Sequence, residues 1–242
     1  GRPKASEDTM SFDKISTLSV RETFVREIEN KILSGELKPG DKLPPARQLC
    51  KIMGVSLTVV NAGVSELASK GFVEVKPRHG TYVADYIENG NTETFFAIIR
   101  YNGGRINAKE FRSFTESRVA LDPLMAELVI KRASDEEIAS LGGIIEEIKK
   151  SEELHETCRL ITHFYHKMYI ISQNSFCALL YNSTMSPQIG MYEMFIEKNG
   201  LQPVIDNMEA EFKCLTERDV EHARMYAVSG LMSALEGPYS VI

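Results

Sequence analysis

The sequence lacks the features that define several common classes of protein. It has no run of about 18 apolar residues and no signal-peptide pattern, so we expect a cytoplasmic protein without a membrane partner. Its four cysteines are scattered without a CxxC pair, which predicts reduced thiols. It also has no nucleophile–base pairing and no glycine-rich phosphate loop, so we expect no enzymatic activity.

Charge is distributed unevenly along the chain. Residues 1–85 hold 13 Lys and Arg against 11 Asp and Glu, a net charge of +2. Residues 86–242 hold 15 against 23, a net charge of −8, and the two parts sum to the total of −6. A cationic N-terminal part suits a DNA-binding domain, which we call the head. An acidic C-terminal part suits a soluble domain that is repelled by phosphate. The cationic excess is small, so binding must depend on a local patch and on dimerisation.

The stretch from Asp41 to Val83 predicts a helix, a turn, a second helix and a β-hairpin. A short helix precedes the turn at Gly54, and the second helix begins at Ser56, whose hydroxyl can accept from an unpaired backbone N–H. Gly71 stands where a helix ends. Two β-type runs follow, at residues 72–75 and 81–83. This order of elements is typical of a winged helix-turn-helix.

Nine residues of this stretch are expected to contact DNA. Arg47 and Lys51 lie one turn apart on the first helix, where a contact with the DNA backbone is natural. Thr58 and Asn61 share the outer face of the second helix, within reach of base edges. At the tip of the hairpin, Gly80 permits close backbone approach. The full set is Arg47, Lys51, Ser56, Leu57, Thr58, Asn61, Arg78, His79 and Gly80.

Several segments of this region match one known family in the right order. They are Ile32–Gly40, Leu43–Leu49, Gly54–Ser56, Leu67–Val73 and His79–Val83. The region therefore resembles the DNA-binding domain of the GntR family of bacterial transcription regulators. One such head reads only a few base pairs, so we expect a homodimer on a palindromic operator in double-stranded DNA.

The second helix departs from the pattern of that family. Relatives usually carry Ser-Arg-x-Thr-Val-Arg, and here Leu57 and Asn61 replace the two arginines. Arginine reads guanine best, whereas asparagine suits adenine and apolar side chains can contact the thymine methyl group. We therefore expect an operator that differs from the family's usual guanine-bearing core.

Beyond Val83 the sequence shows a polar linker at Glu88–Asn91 and then helical patterns only. The fold class is expected to be mainly α, with an N-terminal winged helix-turn-helix and a C-terminal all-α antiparallel helical bundle. The expected domains are a flexible arm (1–15), the winged unit (16–85), a linker with a leading helix (86–106) and the bundle (107–237). Expected helices cover about 92–101, 108–132, 134–150, 153–172, 176–181, 188–198, 204–216 and 220–235, the second of them bent or interrupted near Asp122–Pro123.

The bundle resembles the effector-binding and dimerisation domain of the FadR subfamily within GntR. The matching residues are Glu116–Leu121, Phe164–His166, Ser172–Asn174, Arg218–Asp219 and Ala223. The resemblance implies a cavity for a small effector, expected to be a carboxylate because the fork of Arg118 can bind one bidentately. The alternative is that Arg118 pairs with Glu116, Asp122 or another acid. The expected effector-binding residues are Arg118, Tyr165, His166, Tyr169, Asn174 and Tyr192.

Many relatives in that subfamily hold a divalent metal with one aspartate and three histidines. In this sequence the first histidine matches His166, and Thr162 stands at the aspartate position. The other two positions fall near Met208 and Gly230. One ligand of four is too few for a metal site, so we expect no metal and no cofactor. A substitute site made of His163, His166 and His222 is the alternative.

The function expected from these patterns is a ligand-responsive DNA-binding transcriptional regulator, of the repressor type. Its helical domain is expected to bind a small acidic metabolite and thereby change operator affinity. The alternative is a DNA-binding regulator whose effector domain has degenerated and senses nothing.

Overall fold

The computed structural model describes residues 18–103 and 106–241. The expected flexible arm at residues 1–15 lies outside the described residues. The chain divides between Thr94 and Phe95 into two compact units.

The first unit is built on three helices that share one core. Helix α1 covers Val20–Leu33 and begins with a capping box between Ser19 and Glu22. Helices α2 and α3 cover Ala46–Met53 and Leu57–Ser69. Their apolar faces meet at fully buried positions, which are Phe24, Val25, Ile28, Leu49, Val60 and Leu67. Burial of these side chains fixes which face of α3 remains outside.

A two-stranded antiparallel sheet completes the first unit. Strands β1 and β2 cover Val73–Lys76 and Gly80–Val83, with Val73 paired to Val83 and Lys76 to Gly80. The sequence placed the first strand one residue too early. Phe72 is fully buried and packs against the ring of Tyr86, 5.7 Å away between centroids, so this residue belongs to the core.

The segment after the hairpin is more ordered than the expected polar linker. A one-turn helix, α4, covers Tyr86–Asn89, and the Asp85 carboxylate caps it by accepting from the N–H groups of Ile87 and Glu88. The Asn91 side chain donates to the Ser69 carbonyl at 2.8 Å, and the Thr94 hydroxyl donates to the Lys70 carbonyl at 2.6 Å. Residues 86–94, which include the polar linker expected at Glu88–Asn91, thus hold a helical turn and side chains that bind the end of α3.

The second unit is a helical bundle, which confirms the expected fold class. Helix α5 covers Thr92–Tyr101 and crosses from the first unit into the second. The bundle helices are α6 (Ala108–Arg132), α7 (Asp135–Lys150), α8 (Leu154–Ile171), α9 (Ser175–Ser183), α10 (Met185–Asn199), α11 (Gln202–Thr216) and α12 (Val220–Leu235). Helix α7 begins with the predicted capping box between Ser134 and Glu137.

Helix α6 continues through Pro123, where the sequence suggested a bend or an interruption. Proline removes one backbone hydrogen bond and crowds the preceding turn. Asp122, Met125 and Ala126 near the proline are buried, whereas Leu124 is exposed. Helix α6 nevertheless forms one element of 25 residues, so the proline does not interrupt it.

The main core of the bundle is apolar. Its largest fully buried side chains come from α6, α7, α8 and α11, and they include Met125, Leu141, Ile148, Ile161, Phe164, Met208 and Leu215. Within residues 18–103 and 106–241, no single helix is long and apolar enough to cross a membrane.

Two glycines within helices give a matched test of this packing. A Cβ at Gly63 in α3 would lie 2.3 Å from Cδ1 of the buried Phe24, whereas Gly143 in α7 has no atom within 4 Å of that position. We predict that Gly63→Ala lowers the free energy of unfolding of the first unit by about 1–3 kcal/mol through overpacking. Gly143→Ala should stabilise the bundle by about 0.5–1 kcal/mol, because alanine favours a helix. Urea denaturation followed by circular dichroism measures both, and a Gly63→Ala protein as stable as the parent would contradict this packing.

Candidate functional site

The turn between α2 and α3 sets the position of the second helix. The two helices are bent by 110° across this turn, within the range of helix-turn-helix units. Gly54 makes the turn with a positive φ of 65°, and its N–H donates to the Cys50 carbonyl. The Ser56 hydroxyl then accepts from the Val59 N–H at 3.3 Å and caps α3. The first turn of α3 is thereby held at the surface.

The outer face of α3 carries small polar and apolar side chains. Leu57 is 46% exposed although it is apolar, and Thr58 and Asn61 are also exposed. Val60 and Leu67 point the opposite way and are fully buried. Helices that enter a major groove contact base edges with residues near their N-terminus, so these exposed side chains are candidates for such contacts.

Two cations flank this face on α2. Arg47 and Lys51 are exposed and lie one turn apart. Among the described residues neither forms an ion pair with an acid, in contrast to Arg21 and Lys70, which both bind Glu66. Their charges are therefore available to phosphate.

The hairpin presents a tip with unusual backbone conformations. Arg78 and Gly80 adopt positive φ angles of 65° and 118°. The φ angle of Gly80 favours glycine, because other residues rarely adopt it. A Cβ at this position would lie 2.8 Å from Cε of Lys42, at the end of a flexible side chain that can move. The Tyr82 hydroxyl donates to the His79 carbonyl at 3.4 Å. Arg78, His79 and Gly80 are all exposed at the tip.

Lys42 is a cation of this surface that sequence reasoning missed. Its backbone forms an isolated antiparallel β-bridge with Tyr82 on β2. Its Nζ lies 5.5 Å from the centroid of the Tyr82 ring. Lys76 lies 5.3 Å from the same ring. Nothing in the sequence around Lys42 shows that it pairs with a strand 40 residues later, because that pairing is tertiary.

The helical unit contains a small cavity of about 80 Å³ among α6, α8, α10, α11 and α12. Most of its wall is apolar, and includes Phe111, Met191, Phe195 and Val204. Seven polar side chains also line it, namely Thr115, Arg118, Asp122, Tyr165, Gln188, Tyr192 and Asn207. An apolar cavity with a few converging polar groups is the usual form of a small-molecule site.

A buried ion pair dominates the polar wall. Arg118 and Asp122 are 5% and 2% exposed, and Nη2 of Arg118 donates to Oδ2 of Asp122 at 2.6 Å. Nη1 of Arg118 donates to the Tyr192 hydroxyl at 3.1 Å, and the Tyr169 hydroxyl donates to Oδ1 of Asp122 at 2.5 Å. The guanidinium also lies 4.9 Å from the centroid of the Tyr165 ring. Burial is the largest single influence and lowers the pKa of Arg118. Asp122 and the phenols of Tyr192, Tyr181 and Tyr169 together outweigh it, so the pKa lies well above its ordinary value.

Three polar atoms of the cavity wall have no hydrogen-bond partner among the described residues. They are Oγ1 of Thr115, Nε of Arg118 and Oε1 of Gln188. Leaving a buried polar atom unpaired costs about 1–3 kcal/mol. A ligand that pairs these atoms would recover that free energy.

Glu211 is a fourth buried polar residue beside the cavity, and sequence reasoning missed it. It is fully buried on α11, and neither carboxyl oxygen has a hydrogen-bond partner within the described part of the chain. Burial and then repulsion by Asp122 raise its pKa to about 8, although Arg118 opposes the shift. Glu211 is therefore mostly uncharged at neutral pH.

The structure brings together some of the six expected effector residues and separates others. Arg118, Tyr165 and Tyr192 line the cavity, and Tyr169 reaches it through Asp122. His166 does not line it: its ring stacks on Tyr181, 5.9 Å away between centroids. Asn174 does not line it either, because its side-chain oxygen caps α9 by accepting from the Cys177 N–H. Their expected place in the cavity wall is corrected accordingly.

The positions that hold a metal in many relatives do not fit one here. The Thr162 hydroxyl donates to the Cys158 carbonyl at 2.8 Å, Met208 is buried in the apolar core, and Gly230 has no side chain. Among residues 18–103 and 106–241, no group of three His, Cys, Asp or Glu side chains could hold an ion. This includes His163, His166 and His222; the ring of His222 binds Asp219 at 2.7 Å.

Comparisons with known proteins agree with this architecture. The sequence model for bacterial regulatory proteins of the gntR family matches residues 20–83, and that for the FCD domain matches residues 113–229. The fold is thus that of a winged helix-turn-helix protein with an FCD bundle. The chain belongs to the GntR family.

Individual relatives are similar over parts of their length. The transcriptional regulator Mce2R of Mycobacterium tuberculosis is 30% identical over 132 residues, or 54% of each chain. The transcriptional repressor YtrA of Bacillus subtilis is 30% identical over 91 residues, which cover 38% of this chain and 70% of YtrA. The chain spans about half the length of Mce2R and of a Mycobacterium bovis relative.

One solved structure shares the fold over most of both chains. It is that of Lar, a protein described as controlling the agr system of Listeria monocytogenes. It covers 91% of this chain and 96% of its own, with a TM-score of 0.56 and 15% sequence identity.

The raised pKa of Glu211 predicts a pH-dependent stability of the bundle. The folded state holds this proton up to pH of about 8, whereas the unfolded carboxyl releases it near 4.5. The resulting stability is full below pH 4.5 and is lost as the pH rises to about 8, with a slope of at most ~1.4 kcal/mol per pH unit. Urea denaturation across this range should show the slope in the parent and lose it in Glu211→Gln. Parallel profiles would contradict a buried, protonated Glu211.

Proposed function

We propose that this protein is a transcriptional regulator that binds operator DNA with its winged unit and responds to a small ligand in its bundle. The observation that carries the DNA-binding half is the exposed first turn of α3, with Leu57, Thr58 and Asn61 outside and the core residues inside. Unpaired Arg47 and Lys51 stand beside this face, ready to neutralise phosphates. Such a role places the protein in the cytoplasm.

The proposed reading chemistry follows from the side chains of α3. The Asn61 amide offers one donor and one acceptor, which match N7 and N6 of adenine. Leu57 offers a methyl-rich surface, exposed on the same face, that suits the methyl group of thymine. The tip of the wing can reach an adjacent minor groove with the cation of Arg78 and the ring of His79. We therefore propose an operator read mainly at A·T pairs.

We further propose that the protein binds this operator as a homodimer. A single helix reads a few base pairs, which gives too little discrimination against a genome of competing sites. Two copies related by a twofold axis require a palindromic operator with half-sites about one helical turn apart, or a multiple of it.

The bundle is proposed to act as the sensor and not as an enzyme. The relatives are named as transcriptional regulators, and the described cavity wall holds no nucleophile beside a base. The three unpaired polar atoms favour a working ligand site over a degenerate one, because a cavity without a ligand role gains nothing from them. By analogy with YtrA, which is named a repressor, we propose that the protein represses and that ligand changes its operator affinity.

The ligand was expected to be acidic because of Arg118. That expectation requires that the guanidinium of Arg118 is unpaired and can bind a carboxylate of the ligand. The alternative was an ion pair between Arg118 and an acidic residue of the protein. Asp122 is that acid, at 2.6 Å. An acidic ligand in this cavity therefore has to displace Asp122 or add a second negative charge.

Two substitutions should separate base reading from phosphate binding. We predict that Asn61→Ala weakens binding to an operator selected from random DNA by about 1–3 kcal/mol and changes binding to scrambled DNA little. Arg47→Ala should weaken both, and should lower the slope of log affinity against log salt by about one per subunit. Fluorescence anisotropy with labelled duplexes measures both effects.

Control substitutions in the bundle keep the same residue types. Asn182→Ala and Arg159→Ala change exposed residues of α9 and α8 and should leave DNA affinity unchanged. If Asn61→Ala weakened binding to operator and scrambled DNA equally, α3 would not be reading bases.

The dimer is tested directly by mass. Sedimentation of the protein with operator DNA is predicted to give two chains per duplex. A shorter duplex that contains one half-site should bind the protein much more weakly. A single chain bound to the full operator at saturation would contradict the proposed twofold assembly.

A further inference from the structure

The charged groups of the cavity wall already balance one another. Arg118 and Asp122 are the charged residues among those that line it, and they form a buried ion pair. Glu211 interacts electrostatically with both members of this pair and is mostly uncharged. The remaining titratable groups that face this cluster are phenols, and burial raises the pKa of each of them. They are Tyr165 and Tyr169 from α8, Tyr181 from α9 and Tyr192 from α10. The cavity thus has no net charge to offer a ligand.

The free atoms of the wall are of opposite hydrogen-bonding types. Nε of Arg118 is a donor, Oε1 of Gln188 is an acceptor, and Oγ1 of Thr115 can act as either. All three side chains are more than nine-tenths buried and line the cavity. A ligand that satisfies them must therefore carry both an acceptor and a donor.

The orientation of the Gln188 amide follows from its neighbour. The Thr184 hydroxyl has one proton, which it donates to the Tyr181 carbonyl at 3.0 Å. It can then only accept from Gln188, whose Nε2 lies 3.1 Å away. One N–H of the amide thus goes to Thr184, and Oε1 is the atom of this side chain that has no partner among the described residues.

From these groups we infer that the cavity takes a small ligand that is uncharged overall and bears a donor beside an acceptor, as a primary amide does. The amide oxygen would accept from Nε of Arg118, and its N–H would donate to Oε1 of Gln188. A carboxylate has only acceptors, so it would face Oε1 of Gln188 with a second oxygen. It would also bring an uncompensated negative charge beside Asp122. The inference rests on the proposed sensor role only in that the cavity binds a ligand.

The test compares matched pairs that differ in this one group. Acetamide, propionamide and butyramide are titrated against acetate, propionate and butyrate at neutral pH, with the thermal denaturation midpoint of the full chain as readout. We expect the amides to raise the midpoint with at least about tenfold higher affinity than the acids. Gln188→Leu removes the acceptor and should abolish the response to amides, which separates cavity binding from solvent effects.

A charge variant should reverse the preference. Asp122→Asn leaves Arg118 without its counter-charge, so acids should now bind at least about tenfold more tightly than amides and raise the lowered midpoint. Glu236→Gln is the matched control. Glu236 lies at the end of α12 and pairs at the surface with Arg112 of α6, the helix that carries Asp122, at 3.0 Å. The Glu236→Gln protein should keep the parent's preference for amides over acids. If Asp122→Asn does not fold, the parent and Gln188→Leu still decide the ligand class.

Two results would overturn the inference. One is a parent protein that responds to the acids as strongly as to the amides. The other is a parent that responds to neither series. A bound amide that leaves DNA affinity unchanged would contradict the proposed regulation and would leave the ligand class intact.

Discussion

The ion pair between Arg118 and Asp122 is the interaction on which the interior of the bundle depends. Both residues lie on α6, one turn apart, and they bind Tyr192 on α10 and Tyr169 on α8. Three helices are therefore held by one buried polar cluster within an otherwise apolar core. Removing one partner of a buried pair leaves an uncompensated charge and costs about 3–5 kcal/mol. A replacement at either position thus affects the fold and the cavity together.

The winged unit shows a complementary division between two faces of one helix. The inner face of α3 is fixed by Phe24 and by the glycine at position 63, which lets α1 approach closely. The residues of the outer face do not pack in the core, so they are available for contacts with a binding partner. Leu57 is exposed on this face, and its contact with the methyl group of thymine is part of the proposal.

Much of the fold could be predicted because local signals and tertiary packing agree. The capping box at Ser134 and Glu137 and the helical spacing of apolar residues gave helix ends within about two residues for most elements. Of the two effects expected at Pro123, a bend or an interruption, the structure contradicts the interruption, because α6 continues through this residue. The helix α4 was missed although its cap, Asp85, is local. The contact that anchors the following Asn91 to the end of α3 joins residues 22 positions apart, which local patterns do not show.

The cavity was harder to predict than the fold. Arg118 and Asp122 stand four residues apart, so their pairing on one helix face was an available alternative. Gln188 and Glu211 carry no such signal, because a polar residue in an amphipathic helix is usually exposed. Their burial depends on how five helices meet. His166 was placed in the wall although its neighbour Tyr165 occupies it, a difference of one residue that turns a side chain by about 100° on a helix.

The most direct test of a DNA-reading role is a selection from random duplexes, with sequencing of the DNA that the full chain retains. The account predicts an enriched inverted repeat, with A·T pairs where α3 of each copy enters the major groove. Retained DNA with no sequence enriched over the starting pool would contradict it.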